Sequence, residues 1–385
     1  MTDTTVGDSS GLPTVTYVSM DPLTSTVGSS QVLAYVERLA GRGVDIDLIT
    51  FEHGVDSDLG DRLAGLGVGW RPQRFGIHGP VGGLSRVLRA AWAVRGSAVA
   101  HARSDMAAAS VMIAGVDRWV WDVRSLWVDQ KVASGAIRPG SLQERVMRWV
   151  ERLAAHRSTA MVTLTESAID ELERRYEGGV TQKASVITTC VDLNRFETSP
   201  LPPVPLRVLL AGTLNRYYDV HTMLDLIAEL RCRHRVEFIV ASPRDTDWED
   251  ELAGVEASRV SATPAEMTEL VSSCHVGLSV CRDDAGASLL AAMPTKIGEF
   301  LASGRPVIVN PGLADAADLL DRHECGVVYG SSSHLEICDV VDQLESMLFD
   351  PELPDRCRSL AESHFDLNRG VEGLLATYEL ICGER

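Results

Sequence analysis

The chain has 385 residues, 45% hydrophobic but only 5% aromatic, with a formal net charge of −18. That length exceeds one ordinary core and predicts two domains of soluble α/β type, and no run approaches the ~18 apolar residues of a membrane span. The eight Cys all lie from Cys190 onward without a C-x-x-C pair, so reduced thiols in a cytosol are expected, with neither a zinc site nor a disulfide framework.

Met1 to Gly11 is polar, and residues 1–12 are expected to form a loose tail rather than a signal peptide. The charge divides unevenly: residues 1–196 carry 21 Lys and Arg against 22 Asp and Glu, leaving 15 against 32 for residues 197–385. No acid occurs between Asp61 and Asp105, while Arg62, Arg71, Arg74, Arg86, Arg89, Arg95 and Arg103 do. Such a stretch suits an anionic partner.

In chain order, Val15 to Met20 reads as a strand and Asp21 to Ser30, with Gly28 and Ser29, as a small-residue loop. A helix follows with Val32, Leu33, Val36 and Leu39 on one face, then the strand Ile46 to Phe51. This is a βαβ unit, whose crevice takes ligands in doubly wound sheets. The absence of G-x-G-x-x-G after the first strand argues against a dinucleotide dehydrogenase. The alternation continues with a helix from Leu59 to Leu66, a strand from Val68 to Arg74 and a helix from Leu84 to Val94. That last helix is expected to turn Val87, Leu88, Ala91 and Trp92 inward. Its arginines leave two readings, packing on its own sheet with Arg in water, which is favoured, or lying on anionic lipid.

Strands over Ser97–His101 and Trp119–Trp121 run into His101-Ala102-Arg103-Ser104 and Asp122-Val123-Arg124. Polar residues crowding the carboxyl ends of parallel strands mark where an α/β site is expected. The plainer readings are a core histidine and an Asp122–Arg124 ion pair. A helix over Ser141–His156 follows, with Val146 and Trp149 on one side and Arg145, Arg148 and Arg152 on another. After a strand, a helix and the strand Ala184–Ile187 come Pro200, Pro202, Pro203 and Pro205, a stiff stretch read as an interdomain hinge over 197–206.

Beyond it the pattern restarts. The strand Val208–Gly212 enters Thr213-Leu214-Asn215-Arg216-Tyr217-Tyr218, where Gly212 admits a ligand close to backbone and Arg216 reaches a phosphate. The densest signal is Pro294-Thr295-Lys296-Ile297-Gly298-Glu299, continuing to Gly304 and the apolar run Val307-Ile308-Val309. Thr295 can cap a short helix, Gly304 ends it, and a buried strand follows. A helix start favours an anion and Lys296 adds a full charge. Glu299, one turn on, is an acceptor-only group that suits a ribose. Capping chemistry alone explains Thr295 and Glu299 as well.

The Pro-Thr-Lys-x-x-Glu segment with its Leu-Ala-x-Gly-x-Pro-Val-Ile run resembles the nucleotide-sugar motif of glycosyltransferase family 4. The His-x-Arg-Ser and Asp-x-Arg segments, and Thr188 to Phe196, resemble further parts of that family. The resemblance implies the GT-B fold, two doubly wound Rossmann-like domains facing each other across a cleft. They are expected over 13–196 and 207–365, with 366–385 as a helix crossing back to the first. It implies a retaining transfer from a nucleotide-diphosphate sugar to an acceptor hydroxyl in glycan, glycolipid or metabolite biosynthesis. Glu299, Lys296, Arg216, Asp122 and His101 would be catalytic. Gly212, Thr213, Ser288, Pro294 and Thr295 would help bind the donor, and Gly28, Ser29, Arg103 and Arg124 the acceptor side.

No cofactor is expected, and the triplets Asp45-x-Asp47 and Asp245-x-Asp247 have ordinary edge or capping explanations, so no metal is assigned. Expected partners are the nucleotide sugar and a glycan, lipid-linked or small-molecule acceptor, not nucleic acid. The expected place is the cytoplasm, with peripheral contact to an anionic membrane left open. The sequence departs from the family in two places: Tyr217-Tyr218 stands where a Lys is common, and Ala291 stands where the first of two paired glutamates falls. The second departure suggests a catalytically degenerate partner subunit as one alternative, and a GT-B nucleotide-sugar epimerase, which would bind the same donor without an acceptor, is the other.

Overall fold

The computed structural model describes residues 11–212, 214, 217–242, 248–330 and 333–383. They fall into two compact units, the first holding the described residues up to Val128 with Pro139–Ile187 and the described part of Asn368–Arg385, the second Asp129–Arg138 and Thr188–Leu367.

The first unit is built on seven parallel strands: β1 Val15–Ser19, β2 Ile46–Glu52, β3 Gly69–Arg74, β4 Val99–Arg103, β5 Trp119–Val123, β6 Ala160–Thr163 and β7 Ala184–Val186. Their order is β3-β2-β1-β4-β5-β6-β7. Strands β1, β4, β5 and β6 are buried along their whole length, as an apolar run covered by helices on both faces must be. The second unit has six parallel strands: β8 Leu206–Ala211, β9 Val236–Ala241, β10 Ser258–Val260, β11 Val276–Ser279, β12 Val307–Val309 and β13 Gly326–Val328. Their order is β10-β9-β8-β11-β12-β13. In each sheet the chain reverses direction beside the first strand, between β1 and β4 and between β8 and β11, which makes those strand ends the binding crevice of a doubly wound fold.

Four local expectations change. The loop predicted over Asp21–Ser30 is already helical from Thr26, with a π turn over Ser29–Leu33. Gly28 is required there because a Cβ would lie 1.8 Å from the Pro22 carbonyl oxygen. Thr188 to Phe196 belongs to the second unit, not the first. Thr189 Oγ1 donates to Met293 O at 2.6 Å and Val191 N to Phe365 O at 2.8 Å, so the segment is bonded to that unit's own chain. The proline-dense stretch is likewise fastened to the second unit. The buried Arg305 guanidinium donates to Ser199 O and Oγ at 2.7 Å each and to Pro200 O at 3.2 Å.

The fourth change is the helix Gly79–Ala93, which begins earlier than expected and is rotated, so that Val87 and Ala91 are buried as expected but Leu88 and Trp92 are not. It also buries Arg86 and Ala90. The reason is local. Arg86 sits 4.2 Å from the Phe75 ring centroid and donates to Ile77 O at 3.0 Å and Phe75 O at 3.3 Å. Gly82 abuts the same turn, where a Cβ would lie 1.8 Å from Ile77 O, so the helix has one permitted rotation. Val146 and Trp149 on the helix Leu142–Arg157 are exposed as well.

Candidate functional site

In the second unit the crevice between β8 and β11 gathers the residues around Lys296. Gly212 leaves β8 with φ +114°, and a Cβ there would be 3.6 Å from both Lys296 Nζ and Tyr218 Oη. Lys296 lies in the first turn of the helix Thr295–Ala302, is only 8% exposed and donates to Tyr218 Oη at 2.8 Å. Its ammonium also lies 4.3 Å from that ring's centroid, a cation–π contact. Among the described residues it enters no ion pair with a carboxylate, so its charge is held by a neutral phenol. Thr295 is the first helical residue and makes no capping bond; Pro294 occupies the cap position, so the expected Thr295 cap is absent. Ile297 N donates to Pro294 O at 3.0 Å, and the N–H groups before it in that turn are the ones suited to an anion.

Tyr218 is held by an antiparallel bridge to Cys281 at the end of β11, and Arg282 N donates to Tyr217 O at 2.9 Å. Tyr217 Oη and Ser288 Oγ are 2.9 Å apart, and burial pushes the Tyr217 phenol up to about 12. Asn310, at the end of β12, accepts from Cys281 N at 2.9 Å and donates to Asp283 Oδ1 at 3.2 Å. Glu299 sits one turn beyond Lys296 and is half-buried. Burial raises its carboxyl, and Arg195 and Lys296 pull it partly back. Ala291 is wholly buried, and the two nearby acids are engaged, Asp283 by Asn310 and Asp284 by Arg282. Thr213 and Arg216 lie outside the described residues.

The first unit has its own polar group between β1 and β4. His101 has no exposed surface. Its ring stacks on Tyr17 with centroids 4.1 Å apart, Nε2 lies 3.2 Å from Asp122 Oδ2, and Nδ1 lies 2.9 Å from Tyr378 Oη. Burial lowers the His101 imidazole, with the Asp122 hydrogen bond and charge opposing. Burial works to raise the Asp122 carboxyl, but Arg124, His101 and Arg103 outweigh it and hold it at about 2. Arg124 donates to Asp122 Oδ1 at 3.2 Å and to Gln31 Oε1 at 3.3 Å, and Arg103 donates to Asp21 at 2.9 Å. Ser104 follows Arg103 with φ 81°, a strained turn for a residue with a Cβ. His101 thus offers no exposed surface, and its two ring nitrogens are engaged by Asp122 and Tyr378. Gly28 is buried against Pro22 and Leu23, and Ser29 is exposed.

Sequence reasoning passed over Tyr17 and Tyr378 as partners of His101, Tyr218 as the partner of Lys296, and Asn310. The Tyr217-Tyr218 pair in place of a Lys was the available signal for Tyr218. Among the described residues one other set of potential metal ligands converges, Glu229, His334 and Cys338, within 4.8 Å of one another. Glu229 is there already paired with Arg233 at 3.2 Å. Asp47 of the first D-x-D triplet pairs with Arg71 at 2.8 Å, and the second triplet lies outside the described residues. No helix among the described residues is long and apolar enough to cross a membrane.

Two doubly wound parallel sheets in one chain, each with polar side chains at its reversal point, define two Rossmann-like units of the GT-B class. Residues 28–187 match the family described as the glycosyl transferase 4-like domain. Among solved structures, sucrose-phosphate synthase from Thermosynechococcus elongatus is similar at a TM-score of 0.71 and 14% identity, over 97% of this chain and 100% of that one. Anabaena HepE in complex with UDP is similar at 0.69 and 13%, over 95% and 100%. A glycosyltransferase from Rickettsia africae is similar at 0.67 and 13%, over 97% and 100%. Identities this low show a shared fold. Comparison with curated sequences gives no match.

Proposed function

We propose that the chain is a retaining glycosyltransferase that moves a sugar from a nucleotide-diphosphate sugar to an acceptor hydroxyl. The carrying observation is Lys296 in the first turn of its helix, held against Gly212 and Tyr218 with no carboxylate partner among the described residues, and with Glu299 one turn beyond. A diphosphate supplies the missing anion and a ribose supplies hydroxyl donors to Glu299. In the transfer, the bond between the sugar's anomeric carbon and the diphosphate oxygen breaks, and the acceptor oxygen bonds that carbon from the same face. Its proton leaves with the departing diphosphate. The chemistry needs stabilisation of the leaving charge more than a strong nucleophile, and Lys296 and the helix start provide it. Arg103, Asp122 and Arg124 are assigned to sugar or acceptor hydroxyls. That HepE was solved with UDP, and in another structure with UDP-glucose, supports a nucleotide sugar as donor.

A thermal-shift panel of nucleoside diphosphates and their sugars tests this, because a ligand of the native state raises the melting temperature. One base should stand out. Burial raises the Glu299 carboxyl, so the charged form costs stability at neutral pH. Glu299→Gln should therefore melt higher than wild type at pH 7, a gain that fades in acid, and bind the selected nucleotide roughly tenfold more weakly. Unchanged nucleotide shifts in Glu299→Gln would sink the assignment. Sugar conversion with donor alone would identify an epimerase. Ala291 favours a second reading, a binding partner without turnover, which binding with no transfer to any acceptor would establish.

A further inference from the structure

We infer that the outer face of the helical layer in the first unit docks on an anionic lipid bilayer. The helices Gly79–Ala93, Asp105–Ala114 and Leu142–Arg157 pack side by side in that order. A helix lying on a sheet ordinarily turns its apolar stripe inward and its polar side to water. Here two of the three present an apolar stripe on both sides. Opposite the buried Arg86, Val87 and Ala90, the first helix exposes Val81, Leu84, Leu88 and Trp92 at intervals of three or four residues, with Trp92 78% exposed. Opposite the buried Glu151, Ala154 and Ala155, the third exposes Leu142, Val146 and Trp149, the last 61% exposed. The middle helix carries no charge after Asp105 and exposes Ile113. Single exposed apolar side chains are ordinary, but aligned stripes on neighbouring helices mark an interaction surface.

Charge selects the occupant. Arg95 stands one turn beyond Trp92, and Arg145 and Arg152 stand one turn to either side of Trp149, all exposed and, among the described residues, in no ion pair. The acid-free stretch from Arg62 to Ser104 leaves no carboxylate on the first of these helices. Two copies meeting through this face would set arginine against arginine. A bilayer with anionic headgroups takes the apolar crests below its surface, Trp at the boundary and Arg against phosphate.

Flotation of the full chain with phosphatidylcholine vesicles, with and without phosphatidylglycerol and at low and high salt, tests the inference. Binding should require phosphatidylglycerol and fall about tenfold as salt rises. Trp92→Ser with Trp149→Ser should abolish flotation, and Arg145→Glu with Arg152→Glu should remove the preference for phosphatidylglycerol. Both variants alter exposed side chains and should keep the wild-type melting temperature and nucleotide shift. Failure of the wild type to float with either vesicle, or flotation unaltered in the tryptophan variant, overturns it. A concentration-dependent dimer that the tryptophan variant abolishes, without vesicle binding, assigns the face to a second copy instead. Flotation itself depends on neither nucleotide nor turnover, so its failure leaves the transfer proposal standing.

Discussion

The two crevices are built on the same topology and balance their charges in opposite ways. Around His101 every charge is met from within the unit: Asp122 by Arg124 and His101, Arg103 by Asp21. Around Lys296 the cation meets a phenol, and the acid a turn away is half-buried with its carboxyl raised. A self-compensated network is rigid and already satisfied, whereas an uncompensated one has binding energy in reserve for a ligand that completes it. On the proposed function, the difference is that between a wall that meets neutral hydroxyls and a seat that takes an anion.

The sharpest way to break this contrast is Lys296→Met. Turnover should fall on the order of 100-fold or more, with folding unharmed, because the removed charge is matched only in the bound state. A variant with full activity would erase the distinction between the crevices. Asp122→Asn should do the reverse. Removing one partner of a buried pair costs about 3 kcal/mol, read as a lower urea midpoint, while the nucleotide shift at Lys296 stays. The pH dependence sharpens the same point. Asp122 sits at about 2 against its usual 3.8, so it contributes about 2 kcal/mol that is complete above pH ~4 and lost as pH falls toward 2. His101 is lowered from 6.5 by burial and adds to stability above that value, losing it as pH falls. Asp122→Asn should flatten the acid limb of the stability curve. Smallest is Tyr378→Phe, which leaves His101 Nδ1 without its 2.9 Å partner and should cost about 1 kcal/mol without touching nucleotide binding.

The alternation of strand and helix was legible because parallel strands covered on both faces are unbroken apolar runs, as in Val307-Ile308-Val309 and Trp119-Val120-Trp121. Local chemistry also placed Lys296 and Glu299 a turn apart on one helix. What stayed hidden depends on residues distant in sequence. Tyr218 reaches Lys296 only through its bridge to Cys281, and His101 is sealed by Tyr378 on the last helix. Leu88 and Trp92 of Gly79–Ala93 were misplaced, unlike Val87 and Ala91, because apolar residues lie on both sides of the helix. The decision rests with Gly82 and Arg86 against the Phe75–Ile77 turn.

The placement of Tyr378 also orders the life of the chain. The first unit includes Asn368 onward, so Thr188–Leu367, the greater part of the second unit, lies in sequence between its strands and its closing helix. During synthesis the unit begun earliest cannot complete the cover of its histidine until Tyr378 has emerged. The later unit has every strand in hand well before that.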